Sequence, residues 1–380
     1  MIQITSNLIL YTRIRTANVL LVGIRALAAE VAKNLVLAGI NSLTIVDHEM
    51  VTEDDLCSNF FLSETSVGLN RAEAAVAEIR KLNPRVQLNV DISDVRTKDP
   101  SFYIPFDITI ATDLDFGTLS TVNASTRLSN RPFYAAGAHG FYGFIFADLI
   151  SHDYIIERQK SNMPTNLRAE SSTRSIINVS TKKESGQVVE LVTKREIYTP
   201  LLLANSSPLP PSILNSRRRL KQVTPLLTCL RALWDFEKTF LRLPAPANPA
   251  LARGDLEHFT TLATEKHAEL QLPGETLRSE FLRSFLQNLG SELAPVTAFL
   301  GGMLAQDVIN VLGKRQQPIQ NLVCFDGNTS EGPVFALAPM VTSLDGVGDV
   351  NGAAMGVNGA SAGAVEDMGM GMASGDAIVV

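Results

Sequence analysis

Cysteine is scarce in this chain: Cys57, Cys229 and Cys324 are the only three in 380 residues. They are odd in number, far apart and form no CxxC pair, which removes a disulfide framework and a four-ligand zinc site from consideration. Histidine is nearly as sparse, and His48 and His139 stand apart from partners at ligand spacing, so no metal site is expected. Positive charge is not in excess. The formal net charge is −6, which removes the basic face that nucleic-acid binding requires. The N-terminus lacks the charged, apolar and small-residue succession of a secretory signal. The longest apolar stretch, Ala294 to Leu312, carries Gln306, Asp307 and Asn310 and suits a buried or interface helix better than lipid. Together these absences predict a globular protein of a reducing compartment, nucleus or cytoplasm, with neither nucleic acid nor membrane as partner.

What is present is an alternating apolar pattern. With 45% hydrophobic residues the chain can bury a substantial core, as two domains or as one carrying an insertion. Asn18 to Val22 is a largely apolar run ending at Gly23, which reads as a buried parallel strand entering a tight turn. Leu27, Val31, Leu35 and Ala38 then recur at helical spacing, Gly39 follows as a cap, and Leu43 to Val46 form a second strand closed by Asp47. This is a βαβ unit. Further on, the sequence predicts a helix over Arg71 to Leu82, strands at Val86 to Val90, Ile108 to Ala111 and Phe133 to Ala136, and a helix near Thr118 to Leu128. The fold class is therefore α/β: a Rossmann-like, mainly parallel sheet with helices on both faces.

Gly143 to Ile150 and Tyr154 to Ile156 read as a hairpin that extends this sheet antiparallel. From Gln159 to about Gly186 the chain turns polar and is expected to be a loop or crossover. Lys221 to Leu289 reads as a small inserted helical region, broken by three prolines between Leu243 and Pro249. The predicted organisation is a first part of the sheet domain over 14–158, a linker and helical insertion over 159–289, a closing helix and strands over 290–339, and a disordered tail rich in Gly, Ala and Met over 340–380.

The turn after the first strand carries the most information. In a phosphate-binding βα turn the first Gly makes the bend, the second lets backbone N–H groups meet the pyrophosphate, and the third allows close helix packing. Here those positions hold Gly23, Arg25 and Ala28. Ala28 is tolerated, but Arg25 puts a long side chain where phosphate would meet bare backbone. The turn is expected to persist without its nucleotide. Asp47 stands where an acid accepts hydrogen bonds from a ribose hydroxyl, or simply closes the strand end.

Thr16 to Gly23 and Glu30 to Gly39, then Leu43 to Glu49, Asp55-Leu56, Asn59 to Leu62, Ser66 to Gly68 and Asn70 to Ala74 follow one another in a specific succession. A late block continues it with Ala294 to Val296, Gly301-Gly302, Ala305 to Ile309, Pro318-Ile319 and Phe325 to Gly327. This succession resembles the ubiquitin-like-modifier activating enzymes of the adenylation family, and within them the small, non-thiol subunit of the SUMO-activating kind. The resemblance implies a heterodimer of two related folds that activates the C-terminal carboxylate of a SUMO-type modifier. ATP and Mg²⁺ are then held by the larger, thiol-bearing partner subunit, not tightly by this chain.

In the family's active half an Asn-x-x-Arg-Gln-type run, a Lys and a complete glycine turn hold the nucleotide. Here the Arg position is Asn59, the Lys position is Arg71 and the turn carries Arg25. With Gly23, Asp47 and Asp113 these residues make a vestigial cofactor site, and the resemblance implies a pseudo-active half with no chemistry alone. Gly301 and Gly302, between Phe299 and Gln306, would let another backbone approach closely, in the fold's own packing or at the subunit interface. None of the three cysteines has the surroundings of a thioester nucleophile.

One departure concerns catalysis directly. The family's small subunit carries, before the first strand, a Tyr-Asp-Arg-Gln-Ile-Arg-Leu-Trp-Gly run whose first arginine resembles a finger reaching the partner's ATP phosphates. Leu8 to Arg15 stand there in this chain, either a shortened form or an impaired one. Arg13 and Arg15 are the weak candidates for an arginine acting in trans; otherwise they are solvated residues ahead of a strand. Arg217-Arg218-Arg219 with Lys221 reads as a nuclear signal or a solvated helix start.

Three rival readings share parts of this pattern. A subunit for another modifier, such as that of neddylation, keeps the fold. A homodimeric sulfur-carrier adenylyltransferase requires an intact nucleotide turn and paired CxxC ligands. A nicotinamide-dependent oxidoreductase rests on Gly23, Ala28 and Asp47 and is undercut by Arg25.

Overall fold

The computed structural model describes residues 11–339 apart from 161, 185 and 186, so the expected tail lies outside the described residues. Residues 11–16 are helical and lead into β1 (Asn18–Val22). Next come α1 (Ala26–Ala38), β2 (Ser42–Val46), α2 (Arg71–Leu82), β3 (Gln87–Asp91), β4 (Ile108–Thr112), α3 (Phe116–Leu128), β5 (Phe133–His139) and β6 (Tyr142–Asp148). A second group of strands follows: β7 (Ser151–Gln159), β8 (Arg168–Ala169), β9 (Arg174–Glu184) and β10 (Gln187–Ile197). Helices then dominate, with α4 (Leu201–Ser206), α5 (Pro211–Leu214), α6 (Arg217–Leu220), α7 (Pro225–Phe240), α8 (Ala252–Glu269), α9 (Ser279–Asn288) and α10 (Ala294–Gly313). β11 (Leu322–Asp326) and β12 (Val334–Phe335) end the described chain.

β1 pairs in parallel with β2 and β4, β2 with β3, and β4 with β5. The parallel core therefore runs 3-2-1-4-5, and β6, β11 and β12 continue it antiparallel to complete eight strands. Successive strand side chains point to opposite faces, and both faces are covered. Val19 and Leu21 of β1 join the core under α1, α2 and α10. Leu20 and Val22 join the one under α3 and α7 to α9. This double burial is why the strand reads as a continuous apolar run rather than an alternation, and each fully buried Leu or Val contributes about 1.5–3 kcal/mol.

α1 ends as its sequence requires. Gly39 takes φ 78° and donates its N–H to the Val36 carbonyl at 3.1 Å, a left-handed cap that glycine adopts without Cβ strain. α10 crosses α1 at Gly301, where a Cβ would stand 2.5 Å from Glu30 Cβ and 3.0 Å from the Leu27 carbonyl oxygen. Among the described residues α10 is the one helix long and apolar enough to cross a membrane, yet over half of it is buried within the fold.

Two expectations are corrected. Tyr154 to Ile156 do not extend the main sheet: β7 pairs with β10 in a separate antiparallel sheet of order β7-β10-β9-β8. The loop expected from Gln159 to Gly186 is about half strand, since β9 runs Arg174–Glu184 against β10 and β8 adds Arg168–Ala169. In β10, two of the inward positions are charged but paired. Buried Glu190 accepts from Arg158 Nε at 3.0 Å, and buried Glu196 accepts from Arg174 Nε at 2.5 Å and Thr173 Oγ1 at 2.9 Å. Hydropathy alternation is therefore hidden where it would have shown a strand.

Candidate functional site

In an open sheet of this order the crevice forms at the carboxyl ends of β1 and β4, where the direction of strand addition reverses. A cleft of about 400 Å³ lies there, lined among others by Gly23, Arg25, Asp47, Arg71 and Asp113. Asn59 is tied to the same turn: its Nδ2 donates to the Ile24 carbonyl at 2.8 Å, and its Oδ1 accepts from Phe61 N at 3.1 Å. The structure thus brings together all six residues named from the sequence at this site.

Gly23 is required by the bend. Its φ is 81°, and a Cβ would meet the Thr112 carbonyl oxygen at 2.8 Å. Arg25 occupies the N-cap position of α1 and supplies no capping hydrogen bond, because a guanidinium has no acceptor. The first amides of a helix need acceptors and carry partial positive charge. A residue the sequence did not single out meets that need: Glu292 Oε1 accepts from Ala26 N at 3.1 Å. Its other oxygen accepts from Ser58 Oγ at 3.2 Å and lies 3.6 Å from Arg25 Nη2. Backbone contacts fix this segment, with Gly140 N donating to Ser291 O at 2.7 Å.

The second arginine is equally engaged. Arg71, at the start of α2 and buried, donates from Nη1 to Asp47 Oδ2 at 3.1 Å. Its Nε lies 3.4 Å from Asp55 Oδ1, and Arg25 Nε lies 3.8 Å from the same oxygen. Asp47 also accepts from Ile24 N at 3.0 Å and Glu49 N at 2.9 Å, so the acid placed for a ribose hydroxyl is consumed by the fold. Burial alone would lower the Arg25 guanidinium, but Glu292, Asp113, Asp55 and Asp47 together hold it above its usual value. Asp113 is pushed up to about 7, first by burial and then by the facing Glu292. It sits at φ 53°, with Oδ1 accepting from Ala138 N at 3.1 Å and Oδ2 buried without a hydrogen-bond partner. Partly buried His139 is lowered to about 4 by desolvation and by Arg25.

These residues do not fit a triphosphate. The helix N-terminus is capped by a carboxylate, both arginines are paired, and the cleft is lined by seven carboxylates against three arginines and His48. An unneutralised carboxylate about 4 Å from a phosphate charge opposes it by about 4 kcal/mol at an effective dielectric of 20.

The other named residues lie elsewhere. Arg13 donates from Nη1 to Gly313 O at 3.3 Å, at the C-terminus of α10, and Arg15 is exposed. Gly301, expected either inside the fold or at an interface, is used inside it. Phe299 is 46% exposed and stacks on Phe325, Gln306 is exposed, and the Cβ position of Gly302 has nothing within 4 Å. Cys229 and Cys324 are buried and their thiols are pushed up by desolvation, while Cys57 is exposed. Asp55 and Glu292 are the site residues that sequence reasoning missed. Asp55 lies in a run already noticed, whereas Glu292 has no local signal.

A model of the ThiF family matches residues 5–343. DNA damage tolerance protein RHC31 of Saccharomyces cerevisiae is 35% identical over 325 residues, covering 84% of this chain and 90% of that protein. SUMO-activating enzyme subunit 1 is 32% identical in Xenopus tropicalis and 30% in Homo sapiens, each over 327 residues, 86% of this chain and 90% of the relative. With a match across nearly its whole length on the sheet and glycine turn described above, the chain belongs to the ThiF family, as a homologue of SUMO-activating enzyme subunit 1.

Proposed function

We propose that this chain is the non-thiol subunit of a heterodimeric SUMO-activating enzyme. In this reading it supports ATP-dependent adenylation of the modifier's C-terminus, and transfer of the modifier to a cysteine of the larger partner, without chemistry of its own. The observation that carries the reading is Glu292 on the N-terminus of α1, with Arg25 beside it: the position for a phosphate holds a carboxylate of the chain itself. Two of the three cysteines, Cys229 and Cys324, are buried, and exposed Cys57 stands between apolar Leu56 and the neighbouring Phe60, which supports the assignment of the thiol to the partner. ATP and Mg²⁺ belong to the partner's site in this reading, and the open face of α10 bearing Phe299, Gly302 and Gln306 contacts the partner.

The test is pyrophosphate exchange with MgATP and a SUMO-type modifier. Exchange is expected when the thiol-bearing subunit is present and absent with this chain alone. Exchange by this chain alone would overturn the reading.

A further inference from the structure

The inserted helical region has a cavity of its own, about 250 Å³ in volume, between the proline-bearing loop after α7, the first turns of α8 and the end of α9. Pro244, Pro246, Ala252, Leu256 and Leu286 give it apolar walls. Small-molecule sites run to about 300–1,000 Å³, so this one suits a single large side chain better than a whole small molecule. Its one acid is already engaged. Asp255 accepts from Arg242 Nη1 and Nη2 at 2.7 Å each and from Ala245 N at 2.8 Å. The Arg242 guanidinium also lies over the rings of Phe236 and Phe240, 5.6 and 5.7 Å from their centroids, so the wall that carries Asp255 is held in place before anything binds. The end of α9 is different. Arg283 and Gln287, four residues apart and therefore on one helix face, both line the cavity and are both exposed. Among the described residues neither has a hydrogen bond or an ion pair. Leu243 and Leu251, each next in the chain to a lining residue, are exposed, and Leu241 is 90% exposed. Single exposed leucines are ordinary, but three of them so close in the chain to one apolar cavity form the pattern of a protein-binding surface.

We propose that this cavity docks a linear segment of another polypeptide in which a large apolar side chain stands one or two positions from an Asp or Glu. The apolar side chain fills the cavity, Arg283 takes the carboxylate, and Gln287 takes the peptide backbone. Charge complementarity selects this occupant. With Asp255 neutralised by Arg242, the unpaired Arg283 leaves the lining with an excess positive charge, which an acid beside the anchor satisfies and a base does not. Arginine next to an apolar pocket is also among the residues that dominate interface energetics. Gln287 offers both an N–H donor and a carbonyl acceptor, the pair that a peptide group requires.

The probe is a displayed library of random dodecapeptides selected on the full chain, with enriched sequences synthesised and their binding measured by calorimetry. Enriched sequences are expected to place Leu, Ile, Met or Phe one or two positions from an acid. Arg283→Glu should weaken a selected peptide at least tenfold, and replacing the peptide's acid by Lys should restore most of that loss on the variant while weakening binding to the parent. Ala252→Phe, which fills the cavity from its wall, should abolish binding. Circular dichroism checks that both variants fold, and Arg283→Glu, at an exposed position, decides the matter if Ala252→Phe does not. Failure to enrich such sequences, indifference of the selected peptides to Arg283→Glu, or unchanged affinity for folded Ala252→Phe overturns the proposal. So does octanoate binding as tightly as the peptide, which would give the cavity to a small carboxylate.

Discussion

Glu292 Oε1 and the Ala26 amide, 266 positions apart in the sequence, meet at 3.1 Å at the first turn of α1. The contact is needed because Arg25, at the cap, offers no acceptor to the helix. The family's glycine turn leaves its helix N-terminus bare so that a phosphate can bind there. Here the same electrostatic demand is met from within, and the segment ahead of α10 is thereby tied to the sheet's switch point.

Removing that carboxylate should cost stability without creating a nucleotide site. Glu292→Ala is expected to lower unfolding free energy by about 0.5–2 kcal/mol, the range for loss of a helix cap, read as a shifted urea midpoint with an unchanged slope. Calorimetry on the variant should still show no tight MgATP binding, because Asp47 and Asp55 continue to hold Arg71. Micromolar affinity would show that Glu292 alone was the barrier.

The parts of the site that were legible are those set by local pattern. Gly23, Arg25, Asp47 and Asp113 each follow the end of a parallel strand, and the topology of such sheets delivers strand ends to one crevice. Glu292 was not legible because its task is defined by a helix start 266 residues away. β10 was hidden for a different reason. Glu190 and Glu196 fill buried positions and are neutralised by Arg158 and Arg174, so a period-two hydropathy signal is replaced by paired charges. The ambiguity over Gly301 and Gly302 also needed three dimensions, since adjacent helix residues face different ways.

That pair gives a contrast within one helix. Gly301→Ala places a Cβ 2.5 Å from Glu30 Cβ and 3.0 Å from the Leu27 carbonyl oxygen, and should destabilise by about 1–3 kcal/mol through overpacking. Gly302→Ala meets nothing within 4 Å and should stabilise the isolated chain by about 0.5–1 kcal/mol through helix propensity. Thermal melts of the two variants side by side check this, and equal melting temperatures would contradict the packing described.

Arg13 has an internal role to lose. Its Nη1 donates to the Gly313 carbonyl at the end of α10, where a cation also complements the helix dipole. Arg13→Ala should cost about 0.3–1 kcal/mol. It should also leave pyrophosphate exchange by the complete heterodimer within twofold of the parent. A fall of a hundredfold or more at unchanged stability would instead assign Arg13 to the partner's phosphates.

Asp307 should make stability depend on pH in a direction opposite to most carboxylates. It is buried in α10, accepts from Tyr134 OH at 2.6 Å and from Ile319 N at 3.1 Å, and is pushed up to about 6, burial outweighing both hydrogen bonds. Its unfolded value lies near 3.9 (roughly), so the folded state binds the proton more tightly. The contribution is fully present below that unfolded value and is lost as pH rises through about 6. Asp307→Asn keeps an acceptor but carries no charge to desolvate. Whatever its offset in acid, the balance should move toward the variant by about 3 kcal/mol as the pH is raised through this window. Urea denaturation of both proteins at successive pH values measures the shift. A constant difference would mean that the Asp307 carboxyl ionises alike in the folded and unfolded chain, and that Tyr134 and Ile319 supply all the stabilisation its charge requires.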